Sequence, residues 1–91
     1  MKIRLKLFAL LGKYLPPGSE GNEITIDVAE STTPAAVISG LNLPLEYCQL
    51  VLVNGVYVAP SDRAVVTLNE GDHLAIWPPI AGGQAVFTVR L

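Results

Sequence analysis

The sequence has 91 residues, of which 51% are hydrophobic and 15% charged, and its formal net charge is −2. This length predicts one domain, and the apolar content excludes an intrinsically disordered chain. No apolar run approaches the roughly 18 residues of a membrane-spanning helix, and no segment has the basic footprint of a nucleic-acid-binding protein. Residues 1–7 alternate basic and apolar side chains, unlike a signal peptide. We therefore expect a cytoplasmic domain that binds neither nucleic acid nor membrane.

The first predicted element is a half-buried β-strand over residues 2–8. Its apolar side chains occupy the odd positions, and its basic side chains occupy the even positions up to Lys6. Residues 12–21 contain a Pro-Pro-Gly sequence and predict a loop, whereas alternation over residues 24–28 predicts a second strand. The spacing favours an antiparallel hairpin with a wide loop.

A short helix is predicted over residues 34–41. Thr33 is a good N-cap, and Pro34 suits the first helical position, where no amide donor is needed. Pro44 prevents the helix from continuing, so its length is about two to three turns.

The second half of the chain predicts further strands. Residues 49–53, apolar after Gln49, predict a strand, and Asn54-Gly55 is a strong hairpin signal from which residues 56–58 return. After an irregular crossing, residues 74–77 form the last strand. Hairpin, helix, apolar strand, crossing and final strand are the element order of the β-grasp fold, although propensity alone leaves several topologies open. We predict a single α+β domain whose mixed sheet packs on one short helix, with the last strand parallel to the first.

The sequence offers little for catalysis. Cys48 is the only cysteine, which excludes an internal disulfide and a multi-thiolate metal site, and its apolar neighbours predict a place in the core. His73 is the only histidine, and we interpret it as an ordinary turn residue. Most familiar catalytic sets cannot be assembled from such a chain.

Two aromatic residues are predicted on the solvent face of the sheet. Phe8 stands at an even position of the first strand, and Leu74 and Ile76 are the natural core pair of the last, which sends Trp77 outward. If these strands are neighbours, Phe8 and Trp77 share an exposed patch of the kind that docks a partner. The alternatives are that the strand ends twist or that the tail of the chain covers both rings.

The tail after the last strand is the most informative stretch. Pro78 and Pro79 lack amide donors and fix φ, so we expect them to end the strand and hold an extended chain away from the sheet. Gly82 and Gly83 follow closely. Because glycine has no side chain, such a segment can enter a narrow active site and present its backbone carboxyl group.

Five motifs stand in an order and spacing known from one protein family. They are Leu5-Lys6-Leu7-Phe8, Tyr14-Leu15-Pro16, Val51-Leu52-Val53-Asn54-Gly55, Gly71-Asp72 and Trp77-Pro78-Pro79-Ile80-Ala81-Gly82-Gly83. Over residues 1–83 the chain resembles the ThiS/MoaD family of ubiquitin-like sulfur-carrier proteins. The last motif, with its aromatic-Pro-Pro start and its two glycines, is the most specific part of the resemblance.

The resemblance implies a protein carrier and not an enzyme, although such a carrier can count as the small subunit of a molybdopterin-synthase-like enzyme. A ubiquitin-activating-type adenylyltransferase, using ATP and Mg, would adenylate the carboxyl group of Gly83, and a persulfide sulfur would displace AMP to leave a thiocarboxylate. A sulfur-acceptor enzyme would then take the sulfur for molybdenum or tungsten cofactor (molybdopterin) or related biosynthesis. The carrier itself would bind no cofactor and no metal.

The resemblance also implies which residues meet partner enzymes. Phe8 and Trp77 match aromatic positions that family members use in docking. The expected partner-binding residues are Phe8, Trp77, Pro78, Pro79, Ile80 and Ala81, and Gly82 precedes the reactive Gly83.

Eight residues follow Gly83, whereas adenylation needs a free carboxylate there. We therefore expect residues 1–83 to be the carrier domain and residues 84–91 to be an extension that a processing protease removes. The extension alternates like an edge strand and could lie over Phe8 and Trp77. The competing interpretation is a β-grasp interaction module whose tail is a permanent strand and which no longer transfers sulfur.

Overall fold

The structure, a computed structural model, describes residues 1–79. The strands are β1 (Lys2–Leu7), β2 (Glu23–Asp27), β3 (Leu50–Val53), β4 (Val56–Tyr57) and β5 (His73–Trp77), and the α-helix α1 is Pro34–Gly40. Three short 3-10 helices cover Ala9–Tyr14, Leu45–Tyr47 and Pro60–Asp62. Within residues 1–79, every helix is too short or too polar to span a bilayer.

The five described strands form one mixed sheet in the order β2-β1-β5-β3-β4. β1 pairs with β5 in parallel, and the other neighbouring strands pair antiparallel. This topology confirms the predicted ubiquitin-like β-grasp fold, with the last strand beside the first.

The core lies between one face of the sheet and α1. Leu5 pairs with Leu74 and Leu7 with Ile76, and all four side chains are fully buried. Val37 and Ile38 of α1 are buried as well, as helical spacing predicts. The alternation of β1 therefore sends its odd positions inward, as expected.

Local sequence signals account for the helix start and the β3–β4 turn. The Thr33 hydroxyl accepts a hydrogen bond from the amide of Ala36 at 3.2 Å, and Pro34 opens the helix. Asn54 and Gly55 have φ values of 51° and 82°, the left-handed conformations that a tight two-residue hairpin requires. Both predicted features are confirmed.

The loop predicted over residues 12–21 begins later than expected, because the 3-10 helix Ala9–Tyr14 occupies its first residues. Ala9 has a φ of 53° and turns the chain sharply after β1, so that Leu11 reaches the core. Sequence reasoning missed this element because alanine is an uncommon residue in the left-handed region and gives no turn signal.

Replacing Leu5 with Ala should lower the free energy of unfolding by roughly 2–5 kcal/mol, because the fully buried side chain would leave a cavity. Replacing Ile76 should cost a similar amount. Urea unfolding measures both. Leu45→Ala is the matched control, since Leu45 is 77% exposed and its truncation should change the free energy by about 0.5 kcal/mol or less. Equal losses for Leu5→Ala and Leu45→Ala would contradict this core.

The outer side of the β1–β2 pair carries a ladder of ion pairs. Lys2 Nζ lies 3.0 Å from Asp27 Oδ2, and Arg4 Nε lies 3.3 Å from Glu23 Oε2. Lys6 Nζ is 3.9 Å from the same Glu23 oxygen. The hydrogen bond from Arg4 holds the pKa of the Glu23 carboxyl below its ordinary value, and the charges of Arg4 and Lys6 act in the same direction. The three basic residues of β1 thus pair with the two carboxylates of β2.

We expect Glu23 to contribute stability that depends on pH. Its pKa is lower in the folded than in the unfolded chain, so the contribution is full above the ordinary carboxyl pKa and is lost as the pH falls through the lowered one. The free energies of unfolding of wild type and Glu23→Gln, measured with urea, should therefore differ at about pH 7 and converge as the pH falls to about 3. Glu30→Gln, which removes an exposed carboxylate outside the ladder, is the control. If the difference in free energy of unfolding between wild type and Glu23→Gln stayed constant with pH, the ion pairing would be contradicted.

Candidate functional site: an aromatic stack where the tail leaves the sheet

Backbone hydrogen bonding fixes Phe8 at the end of β1. Its amide donates to the carbonyl of Ile76 at 3.1 Å, which extends the β1–β5 pairing by one residue. Phe8 is extended, with φ −103° and ψ 155°, and Ala9 then turns the chain into the 3-10 helix. The ring is therefore held at the rim of the sheet by the elements on both sides of it.

Trp77 is fixed from the other side of β5. It stands opposite Leu50 of β3, and its carbonyl accepts a hydrogen bond from the amide of Gln49 at 3.0 Å. The Phe8 and Trp77 rings stack with centroids 4.0 Å apart and planes 3° from parallel. The prediction that the two rings share the outer face is confirmed. Each ring is half-buried, and in the stack each ring covers one face of the other.

The stack continues into further apolar side chains across the sheet. Leu50 lies opposite Trp77, and Leu52 lies opposite both Ala75 and Tyr57, so these residues share the outer face. Leu50 and Leu52 are half-buried, and Tyr57 is 53% exposed. We call the row of Phe8, Trp77, Leu50, Leu52 and Tyr57 the apolar strip.

Sequence reasoning missed three members of the apolar strip. Residues 49–53 are apolar on both faces apart from Gln49, so alternation cannot say whether Leu50 and Leu52 point inward or outward. The register supplies the missing information, because Val51 pairs with the buried Ile76 and its neighbours must therefore point outward. The Asn54-Gly55 turn could have placed Tyr57 opposite Leu52 from sequence.

The proline pair ends β5 as predicted, because the strand stops at Trp77. Pro78 is buried and Pro79 is half-exposed, and the expectation that the two prolines hold the following chain away from the sheet stays a prediction. A proline ring can be buried at a strand end without leaving an amide donor unsatisfied. The partner-binding role predicted for Pro78 and Pro79 stays a prediction.

The predicted reactive end lies outside the described residues. This applies to Ile80, Ala81, Gly82, Gly83 and the extension 84–91, whose predicted roles stay predictions. Gly83 is six residues beyond Trp77, so an extended tail would span at most roughly 20 Å from the last paired residue.

Cys48 and His73 lie at positions that the fold explains without a catalytic role. Cys48 is 3% exposed in the core, and burial raises the pKa of its thiol, which confirms its predicted role as core filler. His73 is exposed at the start of β5, where its amide donates to Asn54 Oδ1 at 2.9 Å. Within residues 1–79, no three or more His, Cys, Asp or Glu side chains are arranged to hold a metal ion.

Solved structures with a similar fold include two from Haloferax volcanii. The Haloferax volcanii HVO 2177 protein is 26% identical, with a TM-score of 0.70 over 91% of this chain and 87% of that chain. Small archaeal modifier protein 1 of H. volcanii is 25% identical, with a TM-score of 0.64 over 87% and 98% of the two chains.

A chain in the complex of subunits 1 and 2 of molybdopterin-converting factor from Helicobacter pylori 26695 is 17% identical, with a TM-score of 0.56 over 88% and 96% of the two chains. At this identity the likeness shows the fold alone. No curated protein matches the sequence.

The family comparison covers most of the chain. The model of the ThiS family matches residues 10–83, a stretch that includes Trp77 and both glycines of the tail. Fold, motif order and family match agree. The chain belongs to the ThiS family, the ubiquitin-like sulfur carriers of the ThiS/MoaD type.

Proposed function

We propose that this protein carries sulfur as a thiocarboxylate on the carboxyl group of Gly83. The observation that carries the proposal is where the family match stops: it runs to residue 83 and leaves residues 84–91 outside. The stretch that matches the family thus ends at the glycine pair. A chain that ends there presents a carboxylate on two residues without side chains, which suits entry into a narrow active site.

The lack of an exposed thiol supports activation by a partner enzyme. The one thiol, Cys48, is buried with a raised pKa and is a poor nucleophile. A ubiquitin-activating-type adenylyltransferase would therefore supply ATP and Mg, and a Gly83 carboxylate oxygen would attack the α-phosphorus with release of pyrophosphate. A persulfide sulfur then attacks the acyl carbon and AMP leaves. A second thiol cleaves the resulting acyl disulfide, which frees the thiocarboxylate and forms a disulfide on the donor.

The geometry around Trp77 supports a division between docking and chemistry. Trp77 is held in the sheet between β1 and β3, whereas Gly83 stands six residues further along. A partner that binds the apolar strip would therefore find Gly83 within roughly 20 Å. Docking on a rigid sheet limits the search that the reactive end must make.

We propose molybdenum or tungsten cofactor (molybdopterin) or related biosynthesis as the destination of the sulfur. Membership of the ThiS family supports a destination of this kind, because the resemblance to ThiS/MoaD carriers implies sulfur transfer to such a pathway. The receiving partner would be a sulfur-acceptor enzyme that buries the apolar strip. The carrier would act in the cytoplasm, where the adenylyltransferase finds ATP.

Residues 84–91 must be removed for this chemistry, because a carboxyl group engaged in a peptide bond cannot be adenylated. We therefore propose a processing protease that cuts after Gly83. The alternative is a β-grasp interaction module with a permanent tail. The apolar strip favours that alternative as much as the carrier, since both would dock through it.

The first test is the intact mass of the protein isolated from its own cells. We expect a species that ends at Gly83 and carries one sulfur in place of oxygen. Gly83→Ala should reduce this species at least about tenfold, because a methyl group must then enter a site shaped for glycine. Gly12→Ala is the matched control: a Cβ there would meet nothing within 4 Å, and the backbone is not left-handed. Only chains that end at Leu91 would favour the interaction module.

The second test concerns the apolar strip. Phe8→Ala should shift the emission of Trp77, the only tryptophan, to longer wavelength, because the indole loses its stacking partner. The variant should lose about 1 kcal/mol of aromatic pairing and should load less sulfur in the cell than wild type. Leu10→Ala, which truncates a 48% exposed side chain in the adjoining 3-10 helix, should load normally. Equal loading of the two folded variants would contradict a docking role for the strip.

A further inference from the structure

A groove with a volume of about 450 Å³ lies beside α1, away from the Phe8–Trp77 stack. Its walls come from α1, from the two short 3-10 helices that flank β3 and β4, and from the residues next to them. They include Ile38, Leu45, Glu46, Cys48, Pro60 and Arg63. Leu45 is 77% exposed, which is unusual for a leucine that borders a concave surface.

Arg63 is the buried charge of this groove. Its side chain is only 9% exposed and donates hydrogen bonds from Nη1 to the carbonyl of Cys48 at 2.9 Å and from Nε to that of Val58 at 3.3 Å. A longer contact of 3.5 Å joins Nη2 to the carbonyl of Gln49. These bonds tie the start of β3 to the end of β4. All three acceptors are neutral, so they leave the positive charge of the guanidinium group uncompensated.

No acidic side chain of the protein pairs with Arg63. All eight Asp and Glu residues of the sequence lie within residues 1–79, and the ion pairs there use only Asp27 and Glu23. Glu46 borders the same groove but is exposed and makes no ion pair with Arg63. A guanidinium group has five N–H donors, and Arg63 makes three hydrogen bonds. A buried cation with no ion pair among residues 1–79 favours a carboxylate as an additional partner.

We propose that this groove binds an acidic side chain from an extended segment of a partner protein. The carboxylate would meet Arg63, and flanking apolar side chains would cover Leu45 and Ile38. The chain's own tail offers no acidic side chain for this role, because residues 80–91 contain no Asp or Glu.

The position of the groove at the sheet edge favours an extended segment. β4 is the outermost strand on this side of the sheet, and its Tyr57 borders the groove. Tyr57 also stands opposite Leu52 in the apolar strip. A partner that covers the strip can therefore continue past the β4 edge into the groove, where a strand-like segment finds an unpaired neighbour among the described strands.

Selection from a phage-displayed library of random linear peptides tests the proposal on the full chain. Enriched peptides should share an Asp or Glu flanked by apolar residues. A synthetic peptide of that sequence should shift the NMR resonance of the Arg63 Nε–H group in a saturable way. A control peptide in which Asn or Gln replaces the acidic residue should bind at least about tenfold more weakly, because the charged hydrogen bond is lost.

Substitutions at two exposed positions distinguish peptide binding in the groove from nonspecific binding to apolar surface. Leu45→Ser should weaken the acidic peptide at least about threefold, whereas Val65→Ser, at a 72% exposed residue outside the groove walls, should not. Both side chains are largely exposed, so neither substitution removes a residue from the core.

Several outcomes would overturn the proposal. They are a consensus without an acid, equal binding of the control peptide, shifts centred on Trp77 instead of Arg63, or a consensus that copies this chain's own surface. Displacement of the peptide by butyrate at a similar concentration would assign the groove to small carboxylates instead.

Discussion

The parallel pairing of β1 with β5 is the constraint on which the rest of the molecule depends. Its register, Leu5 with Leu74 and Leu7 with Ile76, joins the two ends of the described chain in the middle of the sheet. Because parallel strands run in the same direction, their carboxyl ends meet at one edge. Phe8 and Trp77 therefore come together at the point where the tail leaves. The same pairing that builds the core thus fixes the position of the candidate site.

Much of this fold follows from local sequence. Strict alternation identifies β1, and the Thr33-Pro34 and Asn54-Gly55 pairs identify the helix start and the hairpin, since each provides a backbone preference of its own. The 3-10 helix after β1 could not be predicted, because its decisive residue is Ala9 in a left-handed conformation. Neither could the burial of Arg63, whose acceptors are backbone carbonyls that any sequence provides.

The candidate site likewise contains residues that the sequence predicts and residues that only the structure reveals. Odd and even positions alone predict that Phe8 and Trp77 face outward together, and their stacking follows from the strand pairing. Leu50 and Leu52 need the register between β3 and β5, which is a tertiary contact between strands far apart in sequence. Periodicity describes one strand at a time and so cannot reveal a surface that three strands share.

The two surfaces would contribute differently to partner choice. Apolar contacts on the strip provide binding energy but discriminate weakly, because many partners can bury a leucine or a ring. A buried guanidinium group would discriminate strongly: a partner with a carboxylate would neutralise the charge of Arg63, whereas one with an apolar side chain there would seal the charge from water. On the proposed function, the protein would meet an activating enzyme and an acceptor through one reactive end. A shared strip beside the tail, with a charged groove further along the edge, would let both partners reach Gly83 while only one of them engages Arg63.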